Sequence, residues 1–293
     1  MDVITLDGGL STALEELGAD LSSSLWTARL LIDSPDTVAD AHRAFFAAGA
    51  RVATTASYQA SIPSLVGAGL DEADARRVLA ESVAVAARAR DEALAEQAAT
   101  GPLLVAASIG PYGAVLADGS EYRGRYGLSA AELRAFHAPR LELLAAAGPD
   151  LLAVETIPDV DEAEVLVPLL EDIGLPYWFS YSVQGGTTRA GQPLADAYAV
   201  LSGGHALLAA GVNCSDPADV LGAVRTAVAV TGRAAVAYPN KGGSWDAATR
   251  SWHDAEVLDL DLVDTWVAAG ARYVGGCCGI GPGPIAALAE RVA

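Results

Sequence analysis

A chain of 293 residues with 37 acidic and 18 basic side chains carries a formal charge of −19, which argues against nucleic acid or an anionic membrane surface as a partner. Hydrophobic residues make up 52% of the sequence, enough for a large buried core, yet no uninterrupted apolar stretch is long enough to span a bilayer. Met1-Asp2-Val3-Ile4 leads straight into the first strand candidate, so no signal peptide is expected, and three thiols that must stay free suit a reduced, cytoplasmic setting.

Short apolar runs alternate with longer amphipathic ones from end to end, and each pair reads as a strand followed by a helix. The first strand is expected at residues 4–7 and its helix at 36–48, where Ser34-Pro35-Asp36 supplies a cap with proline in the first turn. Strands at 52–56, 103–108 and 151–155 should precede helices at 71–97, 130–147 and 160–173. Strands at 177–183, 206–212, 234–238 and 272–274 should precede helices at 194–202, 218–230, 259–269 and 284–292, and Asp216-Pro217 repeats the cap-and-proline start. Gly49, Gly148, Gly174 and Gly270 each stand where a helix should end.

Eight β-α units imply a parallel sheet closed into a (β/α)8 TIM barrel, an α/β fold in which residues 1–293 form a single domain. An open doubly wound sheet is the competitor. Its dinucleotide fingerprint is missing, because Gly279-Ile280-Gly281-Pro282-Gly283-Pro284 has the wrong third element and lies too near the chain end for a ribose-binding acid to follow.

All three cysteines sit where a strand candidate ends beside glycine: Cys214 in Gly211-Val212-Asn213-Cys214, and Cys277 and Cys278 in Gly275-Gly276-Cys277-Cys278-Gly279. Adjacent side chains of an extended strand face opposite ways, so Cys277 and Cys278 could share a ligand only where the backbone bends, and the glycines permit that bend. Three thiolates are suitable ligands for one zinc ion, with the fourth tetrahedral position left for substrate. Ordinary buried cysteines and a vicinal disulfide or redox switch are the alternatives.

Barrel enzymes carry their chemistry at the C-terminal ends of the strands. There this sequence places Asp7, Ser57-Tyr58-Gln59, Gly110, Glu155-Thr156, Ser180, Ser182, Asn213-Cys214 and Pro239-Asn240. A lone acid could be a helix cap or loop ion pair, but two acids, an amide and three thiols on one face point to a site. His42, His137, His205 and His253 fall away from strand ends and read as helix or loop residues.

The ordered set Asp7-Gly8-Gly9, Leu25-Trp26, Ser57-Tyr58-Gln59-Ala60-Ser61, Ser108-Ile109-Gly110-Pro111-Tyr112-Gly113, Ala117 to Gly124, Glu155-Thr156, Asn213-Cys214, Tyr238-Pro239-Asn240 and the Cys277-Cys278 run resembles the homocysteine S-methyltransferases, most closely the branch using S-methylmethionine. The resemblance implies Zn2+ as cofactor, held by Cys214, Cys277 and Cys278. It also implies that Asp7, Gly8 and Glu155 hold the amino acid part of homocysteine, with Asn213 in the same substrate-facing set. Trp26 and Tyr58 match aromatic positions near the cationic methyl group of the donor, with plain core packing as their alternative. The implied partners are two small molecules, homocysteine and a sulfonium donor, S-methylmethionine or S-adenosylmethionine, and the implied product is methionine.

One stretch departs from the family pattern. Where relatives carry Pro-Asn-Ser-Gly-Glu, this chain has Pro239-Asn240-Lys241-Gly242-Gly243, losing an acid and gaining its sole lysine, which bears on donor choice. A second reading of the cysteines is a non-catalytic zinc- or redox-sensing barrel. A sensor has no use for an amino acid clamp, and the retention of Asp7 and Glu155 favours the enzyme.

Overall fold

The computed structural model describes residues 2–21, 27–96, 101–242, 244–246, 251–253 and 258–293. Eight parallel strands form one sheet: β1 (Ile4–Thr5), β2 (Val52–Thr54), β3 (Leu104–Ile109), β4 (Leu151–Ile157), β5 (Tyr177–Tyr181), β6 (Leu207–Asn213), β7 (Ala234–Tyr238) and β8 (Ala271–Val274). They are hydrogen-bonded in the order β1-β8-β7-β6-β5-β4-β3-β2, so each strand lies beside its neighbours in sequence. The ring closes where Leu6 bridges Val52, with Arg51 N donating to Thr5 O at 2.8 Å and Asp7 N donating to Val52 O at 3.1 Å. This is the expected TIM barrel, and the open sheet is excluded.

Outside the sheet lie α1 (Pro35–Ala47), α2 (Glu72–Ala95), α3 (Ala130–Ala146), α4 (Val160–Ile173), α5 (Leu194–Ala199), α6 (Pro217–Thr231), α7 (Leu260–Ala268) and α8 (Pro282–Val292). Their starts are set by short acceptors: Asp71, Ser129, Asp159, Asp216 and Asp259 each receive a backbone N–H of the first turn. Gly49, Gly148, Gly174 and Gly270 all take positive φ at helix ends, as the sequence suggests.

Two differences from the sequence expectation have local causes. The fifth strand stops at Tyr181, because Val183 N donates to Ser215 Oγ at 2.8 Å and Val183–Gln184 then pairs antiparallel with Thr187–Thr188. Four short helices, Leu10–Glu16, Thr27–Asp33, Ile62–Gly67 and Tyr112–Leu116, fill what reads as loop, being too short to show a helical period. Trp26, residue 97 and Gly243 lie outside the described residues.

Inside the barrel Leu6, Val52, Ala106, Ala153, Trp178, Ala209 and Val236 pack together, small residues making room for one tryptophan. On four of these strands the next inward position, two residues on, is polar, Thr54, Ser108, Glu155 and Ser180, and on β6 Asn213 lies four residues beyond Ala209. The polar layer is therefore the top of the same packing stack, one pleat above the apolar one.

The loops carrying that layer are tied by a buried cation. Arg140 of α3 is 1% exposed and donates to Gly110 O at 3.0 Å, Ser57 O at 2.8 Å and Tyr58 O at 2.7 Å. Burial lowers its pKa to about 10, so it stays charged at neutral pH. Replacing it leaves buried carbonyls without donors. Arg140→Met should lower the unfolding free energy by roughly 3 kcal/mol, measured by urea denaturation; a loss below about 1 kcal/mol would mean that these bonds do not hold the loops.

Candidate functional site

Cys214 follows β6 and the Cys277-Cys278 pair follows β8, so the three thiols arise from the same end of the barrel. The Cys214 and Cys278 sulfurs are 3.7 Å apart, those of Cys277 and Cys278 are 4.0 Å apart, and all three lie within 4.8 Å of one another. Sulfurs bound tetrahedrally at about 2.3 Å from zinc stand about 3.8 Å from each other. The cluster has the donor type and spacing to hold a metal ion of that kind.

The backbone makes this possible. Gly279 takes φ +80°, whereas Gly275 and Gly276 serve close approach rather than positive φ: a Cβ on Gly275 would lie 2.6 Å from Asp7 O. Gly276 N donates to Asp7 O at 3.1 Å, Cys277 N to Pro239 O at 2.8 Å and Gly279 N to Thr12 Oγ1 at 3.0 Å. The bend that lets adjacent cysteines point the same way is thus bonded to the ends of β1 and β7.

Cys214 itself has φ +47°, and Thr156 has φ +61°, both unusual for residues with a Cβ. Asn213, fully buried between them, accepts from Thr156 N at 2.6 Å and donates to Thr156 Oγ1 at 2.8 Å. Its amide faces Thr156, with both ends engaged, rather than the open mouth.

Asp7 accepts from Thr54 N at 2.6 Å and from Thr54 Oγ1 at 2.9 Å. Glu155 accepts from Ser108 Oγ, and the nearby Tyr238 hydroxyl accepts from Trp178 Nε1 at 2.9 Å. Gly8 follows Asp7 where a Cβ would collide with Ile280 O, and its N–H is engaged by no other described residue. Tyr58 is half-buried, its ring against Gly110, where a Cβ would stand 2.7 Å from the ring carbons.

Tyr122 carries a role that the sequence reading does not assign. It is 37% exposed at a short 3-10 turn, Ser120–Tyr122, and its hydroxyl lies 3.0 Å from Cys214 Sγ. The one signal was its place in the stretch 117–124. His42 and His137 are buried in helices away from the cluster, His205 is exposed, and the side chain of His253 is outside the described residues.

Burial pushes Asp7 up to about 8 against the two bonds from Thr54, and Glu155 up to about 7 against the Ser108 and Tyr238 hydroxyls. Donation from Cys214 and Cys277 holds the Cys278 thiol well below its ordinary range, while Cys277, hydrogen-bonded to both other sulfurs, is raised. Each carboxyl holds its proton more tightly folded than unfolded, so the stability this contributes is present below the unfolded pKa and is lost as pH rises through the folded values. The metal-free protein should therefore become less stable from about pH 5 to about pH 8, and Asp7→Asn should flatten that fall by roughly 1–3 kcal/mol. Urea denaturation at the two pH values reads it directly; an equal slope in wild type and variant would contradict the burial account.

The family model described as homocysteine S-methyltransferase matches residues 4–292. The homocysteine S-methyltransferase of Escherichia coli K12 is similar at 42% identity over 99% of this chain and 95% of its own, and the homocysteine S-methyltransferase YbgG of Bacillus subtilis 168 at 41% over 98% and 93%. The crystal structure of the homocysteine methyltransferase MmuM from Escherichia coli in its metallated form has a TM-score of 0.90 at 42% identity, covering 99% of this chain and 96% of that one. Matched along nearly all of its length in sequence and in backbone, this chain belongs to the homocysteine S-methyltransferase family.

Proposed function

We propose that the protein transfers a methyl group from a sulfonium donor, S-methylmethionine or S-adenosylmethionine, to the thiol of homocysteine, giving methionine, and that it requires zinc to do so. The observation that carries this reading is the meeting of three thiols and two buried carboxylates at one barrel mouth. We take residues 1–293 as one homocysteine-binding domain working in the cytoplasm on two small molecules.

Cys214, Cys277 and Cys278 would hold the ion. Bound there, zinc would keep the homocysteine thiol deprotonated at neutral pH, where a free thiol, with a pKa near 8.5, is only a few per cent thiolate. Asp7 and Glu155 are the acceptors for the homocysteine ammonium, whose arrival returns to each buried carboxylate the partner that burial otherwise denies it. The unengaged Gly8 N–H is suited to the substrate carboxylate. Asn213 acts through Thr156 and Cys214, holding two left-handed residues in place.

The transfer needs no general base. A new bond forms between the homocysteine sulfur and the methyl carbon as the donor's carbon–sulfur bond breaks, its electron pair leaving with the donor sulfur as a neutral thioether. Opposite charges cancel along this path, so a mouth that excludes water favours it, and alignment of the two sulfurs with the methyl supplies much of the rate. Tyr58, with its aromatic face, and Trp26 are the side chains assigned to the onium.

Cys277→Ala should bind less than about a tenth of an equivalent of zinc, given that a tetrahedral site loses one of three protein ligands, and methyl transfer should fall with it. Metal analysis beside a homocysteine methylation assay checks both. A zinc-free variant that still makes methionine at the wild-type rate would rule out this use of the cysteines.

A further inference from the structure

At the mouth Arg189 is a cation that the fold holds in place and that pairs with no carboxylate among the described residues. Arg189 lies beyond the Val183–Gln184 and Thr187–Thr188 hairpin, with its Cζ 5.5 Å from the centroid of the Tyr122 ring. Tyr122 in turn places its hydroxyl 3.0 Å from Cys214 Sγ. A second route leads to the same cysteine: Arg189 Nε donates to Ser182 Oγ at 3.3 Å, and Ser182 Oγ donates to Cys214 O at 3.3 Å. Arg189 N also donates to Ser182 O at 3.1 Å, so backbone, stem and guanidinium face are all located relative to Cys214.

What remains is the outer edge of the guanidinium. Among the described residues no carboxylate lies within ion-pair distance of Arg189, whereas the nearby Arg123 pairs with Asp118, and Arg125 with Asp159 and Asp161. A guanidinium stacked on an aromatic ring with its two terminal amino groups open presents a fork that matches a carboxylate. In the reading above, the homocysteine ammonium and carboxylate already have partners at Asp7, Glu155 and Gly8. Both candidate donors carry an α-carboxylate in addition to the sulfonium.

We propose that Arg189, held by Tyr122 and Ser182, is the receptor for the carboxylate of the methyl donor, so that the site selects amino acid sulfoniums over simple ones. This rests on the methyltransferase reading above. Arg189 binds and orients the donor, and it does not touch the transferred methyl.

The test compares S-methylmethionine with trimethylsulfonium, which has the reactive methyl and no carboxylate. In Arg189→Met the ratio of kcat/KM for the first donor to that for the second should fall about 30-fold, the worth of one charged bidentate contact. Calorimetric binding of S-methylmethionine to the zinc-loaded protein, read without turnover, should weaken by a similar factor. On the wild-type protein the amide of S-methylmethionine should show a KM about tenfold or more above that of the acid, which keeps the proposal open to refutation where the variant folds poorly. Lys241→Met, removing the other cation that borders the cysteines, is the control for charge alone.

An unchanged donor ratio and unchanged binding in Arg189→Met, equal KM values for acid and amide, or a ratio that moves in Lys241→Met instead would each overturn the assignment to Arg189. Absence of transfer by the wild-type protein from both S-methylmethionine and S-adenosylmethionine would overturn the methyltransferase reading, and this subsite with it.

Discussion

Three thiols from two strands whose cysteines are 64 residues apart in sequence have to meet with their sulfurs near 4 Å, and most of the mouth is arranged to satisfy that requirement. A strand by itself sends adjacent side chains to opposite faces, so the Cys277-Cys278 pair needs a backbone that is no longer a strand. The structure supplies it by ending β8 at Val274 and bonding the next four residues to their surroundings: Ala237 O receives Gly275 N, Asp7 O receives Gly276 N, Pro239 O receives Cys277 N, and Cys278 O receives Lys241 N. Glycine at 275 and 276 is required because the β1 backbone and the Ile280 side chain occupy the space a Cβ would fill.

The other cysteine is held at a cost. Left-handed φ at Thr156 and Cys214 costs about 1–3 kcal/mol per residue, and Asn213 offsets part of it by closing two hydrogen bonds onto Thr156. One buried amide thereby ties the strand end that bears Glu155 to the strand end that bears Cys214. The same logic extends outward. Arg140 ties the β2 and β3 loops to α3, and Ser182 ties the hairpin after β5 to the carbonyl of Cys214.

The barrel itself is legible in the amino-acid sequence, since strands buried on both faces are apolar runs and helices of three or more turns declare a period and a cap. Strands β1 to β8 and helices α1 to α8 fall at the expected places within a few residues. The helices Leu10–Glu16 and Ile62–Gly67 are not legible because fewer than two turns give no period. At the mouth, Asp7, Glu155 and the cysteines announce themselves by residue type at strand ends. Tyr122, Arg140 and Arg189 do not, because each acts across a long sequence separation through a hydroxyl or guanidinium whose partner only the fold reveals. The inward pairing of Asn213 with Thr156 is hidden for the same reason.

Methyl transfer at this mouth would depend on three cysteine sulfurs sharing one zinc ion with a position left for the substrate thiol. X-ray absorption at the zinc edge, recorded on the zinc-loaded protein before and after homocysteine is added, tests this directly. Three sulfur ligands at about 2.3 Å rising to four on addition is the expected result. Four protein ligands from the outset, or a sulfur count that homocysteine leaves unchanged, would contradict it.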